Sequence, residues 1–301
     1  MRANWRQTLL SYTFLAPALI LLVVFTFYPL AYGSYLGFTE YGGARFAQGQ
    51  PPRWVGLENF RTLWADDLFR TSLLNSVKYL LVVPALQLAS LAVASLVNNS
   101  LPGMAFFRAA YYVPVVTSIS LAAVMWEWVY NKDGTLNWVL GFLHLLHAGG
   151  TFGWLNNEHT AFWAVMLVTF WRGFGYYMVL YLAGLQNIPA ELEEAAVLDG
   201  ASAWQRFWRI TVPLMRPTIL LCSLLSTIAA LRVLEEVLVL TNGGPLNSTY
   251  TALMYVYFKA FQGFNFDYGL ASAAGLVVAV VALALSVANF RLFRDGSGEG
   301  A

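Results

Sequence analysis

Polar residues punctuate this chain at intervals that leave six long apolar runs between them. A bilayer hydrocarbon core of about 30 Å is crossed by about 20 helical residues rising ~1.5 Å each. Runs of that order lie at residues 9–38, 77–97, 104–128, 161–185, 218–240 and 268–290. They predict an all-α, polytopic membrane protein built as a six-transmembrane-helix bundle. The first run lies within 33 residues without a charge, Gln7 to Thr39. That is longer than the apolar core of a cleaved signal, so it is expected to stay as a span. Pro17, Pro29, Pro84 and Pro114 fall inside the runs. Each removes a helix hydrogen bond that only neighbouring helices or ordered water can replace, so the spans are expected to pack together. Gly33 with Gly37, and Ala271 with Gly275, have the small-xxx-small spacing that lets helix backbones approach.

Composition agrees with the pattern. Of 301 residues, 58% are hydrophobic and 11% charged, against about 25% charged in an ordinary soluble domain. A net charge of +1 provides no basic surface for nucleic acid. The single cysteine, Cys222, excludes an internal disulfide, a CxxC pair and a cysteine-built zinc site. Orientation follows from the retention of basic residues in the cytoplasm. With the N-terminus inside, the cytoplasmic segments hold eight, Arg2, Arg6, Arg108, Arg206, Arg209, Arg216, Arg291 and Arg294, against six in the outer loops. N-in and C-in is therefore the expected topology.

The loop between the fourth and fifth runs is chemically different from the rest. From Gln186 to Pro217 it carries seven charges in 32 residues: Glu191, Glu193, Glu194, Asp199, Arg206, Arg209 and Arg216. Pro189 suits a first helical turn, Glu191 complements the positive helix end, and Gly200 can take the left-handed stop. Ser202 with Gln205 has capping-box spacing and starts a second helix, limited by Pro213 and Pro217. The expectation is a cytoplasmic helix-turn-helix knob. Leu192, Ala195, Ala196 and Asp199 form a small-residue stripe on its first helix, either to receive another protein closely or to pack on the bundle's own end. DNA binding is disfavoured, because the segment nets minus one.

Here the residues carry a resemblance. Glu194-Ala195-Ala196, three residues, Gly200, nine residues and Ile210-Thr211-Val212-Pro213 resemble the EAA loop, E-A-A-x3-G-x9-I-x-L-P, of binding-protein-dependent ABC importer permeases. Val212 stands in the leucine position. The resemblance extends over nearly the whole chain and points to the carbohydrate branch, the maltose- and glycerol-3-phosphate-type permeases. Further stretches are Phe14-Leu15-Ala16-Pro17, Val55-Gly56-Leu57-Glu58-Asn59-Phe60, Leu182-Ala183-Gly184-Leu185-Gln186 with Ile188-Pro189, and Leu240-Thr241-Asn242-Gly243-Gly244-Pro245. It implies a permease subunit in a bacterial or archaeal cytoplasmic (inner) membrane, paired with a second homologous permease. Two ATPase subunits would dock below, an extracytoplasmic solute-binding protein outside, and a carbohydrate would be the substrate. Glu194, Ala195, Ala196, Asp199 and Gly200 would take the coupling positions in an ATPase cleft. This chain would hold no cofactor, ATP and Mg being bound by the partner ATPase.

The residues show no chemistry that contradicts a transport role. No phosphate-cradling loop, dinucleotide turn, nucleophile elbow or H-E-x-x-H pair occurs in the sequence. His144, His147 and His159 share one outer loop, with only Glu158 and Asp133 as further ligands, and no metal centre is expected. Ionisable groups inside a span cost ~3 kcal/mol each on insertion scales, so Arg172, Arg232, Glu235 and Glu236 are expected to pair or to face a wet cavity. Arg232 can reach Glu235 or Glu236 along one helix face. In the family Glu235 falls where an acid is common, whereas Glu236 replaces an apolar residue. Sugars stack on aromatic faces beside polar groups, and Arg172 and Tyr176 on the fourth span, with Arg232 and Glu235 on the fifth, are the candidate path residues. A permease for another solute, and an ion-coupled secondary transporter using the buried charges, are the alternatives at this point.

Overall fold

The computed structural model describes residues 5–98, 103–145, 151–262 and 266–294; Arg2 and His147, named above, lie outside them. Helix dominates the described residues. Five helices are long and apolar enough to cross a membrane: Tyr12–Leu36, Asp67–Val97, Ala161–Leu185, Arg216–Leu240 and Tyr268–Arg291. Met104–Val116 and Ile119–Phe142, bent by 100° at the break between them, make the sixth when taken as one crossing.

The prolines explain where these helices depart from regular geometry. Val23–Phe27 and Phe207–Thr211 are π turns, each ending two residues before a proline, Pro29 and Pro213. The residue before each proline, Tyr28 or Val212, donates its N–H to the carbonyl five residues back, of Val23 or Phe207. The widened turn relieves the collision between a proline ring and the carbonyl four residues back. Pro114 has a stronger effect. Its helix stops at Val116, and the backbone is extended at Thr117 and Ser118, with ψ 133° and 136°. The Thr117 hydroxyl donates to the Val113 carbonyl at 3.0 Å. The third span expected over 104–128 is thus two helices, because Pro114 withholds an N–H and Ser118 takes the dihedrals of a helix start.

The chain divides into two compact units, Met1–Asp67 with Tyr255–Val277, and Leu68–Met254 with Val278–Ala301. In the first, Thr39–Glu40 pairs antiparallel with Arg53–Trp54, and Trp54 stacks on Phe38 with ring centroids 5.6 Å apart. Asn59 donates from Nδ2 to the carbonyls of Gly37 (3.0 Å) and Thr39 (2.9 Å), tying the end of the first span to this ribbon. Only one member of each small-residue pair is packed. Gly37 is closed in, since a Cβ there would sit 2.8 Å from Leu276 Cδ1, and Ala271 is buried; Gly33 and Gly275 face open space.

In the second unit the fourth span packs on Val82–Val97 and on Met104–Val116. Leu86, Tyr177, Met178, Tyr181, Met215 and Cys222 form the middle of its core. A Cβ on Gly175 would strike the Tyr111 carbonyl, so the approach of the fourth span to Met104–Val116 depends on that glycine. The second span begins at Asp67, ten residues before its expected start at 77. This added stretch buries polar groups as well as Phe69: Ser72, Asn75 and Ser76. Asn75 Nδ2 donates to the carbonyls of Asn247 and Tyr250, both at 3.1 Å, and Ser76 Oγ accepts from Ala252 N–H at 2.8 Å. A hydropathy search cannot register a helix face whose buried work is hydrogen bonding.

Candidate functional site

Two features could carry function, a solvent-facing knob and a cavity. The knob begins at Ala190–Leu198, with Pro189 at the N-cap position, one residue ahead of the first turn. Gly200 takes φ +78°, which lets the helix end in a closed hydrogen-bond pattern: Gly200 N–H to the Val197 carbonyl at 3.0 Å and Ala201 N–H to that of Ala196 at 2.9 Å. This is the left-handed termination that glycine permits without strain. Ser202 and Gln205 form the expected reciprocal cap, with Ser202 N–H donating to Gln205 Oε1 at 2.8 Å and Gln205 N–H to Ser202 Oγ at 3.3 Å. The second helix does not stop at Pro213. It continues through the π turn to Leu214 and, past Met215, into Arg216–Leu231, where Pro217 occupies a first-turn position. Glu194, Ala195, Asp199 and Gly200 are exposed, and Ala196 is buried. Trp204 and Trp208 form an edge-to-face pair on the second helix, centroids 5.5 Å apart.

The cavity, of about 670 Å³, lies in the second unit. Its wall includes Arg172 and Tyr176 from the fourth span and Arg232, Glu235 and Glu236 from the fifth. Residues chosen from sequence on two spans are therefore brought to one space. The fifth span differs from expectation, because Arg216–Leu231 ends at Arg232 and a second helix, Glu235–Leu240, starts after Leu234. The break places a cation at the negative end of one half-helix and two acids at the positive end of the next. It also removes the three- and four-residue helical spacing by which Arg232 would meet an acid. Among the described residues Arg232 makes no ion pair. The pair that forms is Arg172 Nη1 to Glu236 Oε1, 3.9 Å apart, the carboxylate side chain 8% exposed. Glu236, and not Glu235, is thus the acid that meets Arg172.

Behind the cavity stands a polar group that a search for charges passes over. Gln87 Nε2 donates to Ser226 Oγ at 2.7 Å and to the Cys222 carbonyl at 3.2 Å, and Gln87 Oε1 accepts from the Tyr181 hydroxyl. One amide therefore joins the second, fourth and fifth spans. His159 lies 3.6 Å from Glu158, and no group of three His, Cys, Asp or Glu side chains suited to a metal occurs among the described residues.

Comparison with known proteins gives this arrangement a lineage. Residues 68–294 match the family described as "Binding-protein-dependent transport system inner membrane component". The chain belongs to that family. It is a multi-pass inner-membrane permease subunit of a binding-protein-dependent ABC importer. Among its relatives, the lactose transport system permease protein LacF of Rhizobium radiobacter is 33% identical over 95% of this chain and 94% of its own length. The trehalose/maltose transport system permease protein MalF of Thermococcus litoralis is 31% identical over 97% and 96%. A solved chain from a bacterial ABC transporter that imports the acidic polysaccharide alginate has the same fold, with a TM-score of 0.81, 24% identity and 97% of each chain covered. In the permease subunit, the segment bearing the knob and the cavity-lining spans both fall within the family match.

Proposed function

We propose that this permease forms half of the translocation path for a sugar or sugar-related solute, with alternating access driven by separate ATPase subunits. The observation that carries the reading is the convergence of Arg172, Tyr176, Arg232 and Glu235 on one cavity between the fourth and fifth spans. Aromatic rings beside hydrogen-bonding charges suit a polyhydroxylated ring, and relatives named for lactose and for trehalose and maltose support the class. A second homologous permease completes the path, and an extracytoplasmic solute-binding protein delivers the sugar. Two ATPases bind ATP and Mg. The chain lies N-in and C-in, which puts the knob in the cytoplasm. There Glu194, Ala195, Ala196, Asp199 and Gly200 seat in an ATPase, and the closed termination at Gly200 makes the knob stiff enough to pass rotation to the spans attached to it.

The test is purification of the chain from its host membrane, with identification of the proteins that accompany it. A second permease and an ATPase are expected. Solute accumulation by the isolated chain in liposomes under an ion gradient alone would overturn the reading.

A further inference from the structure

We propose that Arg172 and Glu236 act together to select uncharged polyhydroxyl solutes over acidic ones at this cavity, an inference that rests on the sugar-path reading above. The two side chains come from different spans, line the same cavity and stand 3.9 Å apart. Hydrogen bonding needs a nitrogen–oxygen separation below about 3.2 Å. The pair therefore balances its charges without a hydrogen bond between Arg172 Nη1 and Glu236 Oε1.

Charge on the cavity wall decides the class of solute. Its ionisable groups Arg172, Arg232, Glu235 and Glu236 are two cations and two anions, so the wall has no formal excess of either sign. An acidic sugar drawn to Arg172 meets the Glu236 carboxylate within one ion-pair length, and repulsion offsets the attraction. It also gives up hydration that no excess cation replaces. A neutral diol meets neither cost: one hydroxyl accepts from the guanidinium while its neighbour donates to the carboxylate. Tyr176, held edge to face against Tyr177 at 5.1 Å, lines the same space and offers its ring to the apolar face of a sugar. The alginate transporter that shares this fold handles an acidic polymer, so the fold alone leaves the charge of the solute open. In this proposal the Arg172–Glu236 pair sets it for this chain.

The test uses the transporter purified from its host with its partner subunits, the binding protein removed. It is equilibrated with a mixture of neutral disaccharides (lactose, maltose, trehalose) and uronate disaccharides, and retained sugars are counted by mass spectrometry. Wild type is expected to retain neutral sugars and exclude uronates. Glu236→Gln raises the uronate-to-neutral ratio roughly tenfold, equivalent to about 1.4 kcal/mol, and Glu236→Asp keeps the exclusion. Because Gln at this position leaves Arg172 unpaired inside a span, the Arg172→Gln/Glu236→Gln double variant is measured beside it, and its ratio moves toward one. Uronates retained on a par with neutral sugars by wild type, or an unchanged ratio in both Gln variants, overturns the selection. Retention of no saccharide of either kind overturns the sugar-path reading itself.

Discussion

Thr251 donates its hydroxyl to the Val233 carbonyl at 2.9 Å. Val233 lies in the break of the fifth span, and both residues are buried. Unwound backbone at membrane depth is tolerated only where protein or water satisfies it. The loop that follows the fifth span therefore supplies part of what the break needs, and holds Arg232 and Glu235 on separate half-helices.

Thr251→Val keeps the shape and removes the donor. Leaving the buried Val233 carbonyl without this bond is expected to cost about 1–3 kcal/mol. It is checked by thermal unfolding of the detergent-extracted chain. Thr251→Ser, which retains the hydroxyl, is expected to stay near wild type, and equal melting of all three would show that the bond does not hold the break.

Gly200 ends the first knob helix at φ +78°. Gly200→Val places a β-branched residue where the left-handed region costs on the order of 1–2 kcal/mol, and Glu194→Lys reverses a charge on the exposed face. Both variants are expected to insert in normal amounts and to abolish ATP-driven uptake. Normal uptake by both counts decisively against coupling through this knob.

Gln87 joins three spans through its amide. Hydrogen bonds between helices in membranes average about 0.6 kcal/mol each. Gln87→Leu is therefore expected to lower stability by about 1–2 kcal/mol, read from a denaturation midpoint in mixed micelles. Ser226→Ala, which removes one of the three contacts, should lose about a third as much. The idea of a shared hub fails if Ser226→Ala matches or exceeds the larger change.

Gly175 lies where a Cβ would strike the Tyr111 carbonyl. Gly175→Ala must push Met104–Val116 away from the fourth span, an overpacking cost of about 1–3 kcal/mol. Lower yield of folded protein and an earlier melt are expected. By contrast Gly33→Ala, facing open space, should leave both unchanged.

The sequence marked where the spans and the knob lie, but not the early start of the second span, the break in the fifth or the run of the knob's second helix past Pro213. A run such as Ala161–Leu185 matches its predicted bounds residue for residue, because burial in lipid demands an unbroken apolar stretch of fixed length and satisfies the backbone within the segment. The cap at Ser202–Gln205 and the stop at Gly200 were legible for a similar reason: their hydrogen bonds are local. Arg172 and Glu236 stood out as charges within apolar runs, but their pairing with each other did not. The break after Arg232 and the Gln87 hub were set by contacts between residues far apart in the chain. Where a neighbour supplies a missing hydrogen bond, as Thr251 does for Val233, a helix can open at a place its own residues do not mark. Arg172 met Glu236 across two spans, since the pairing of buried charges depends on which helix faces come together.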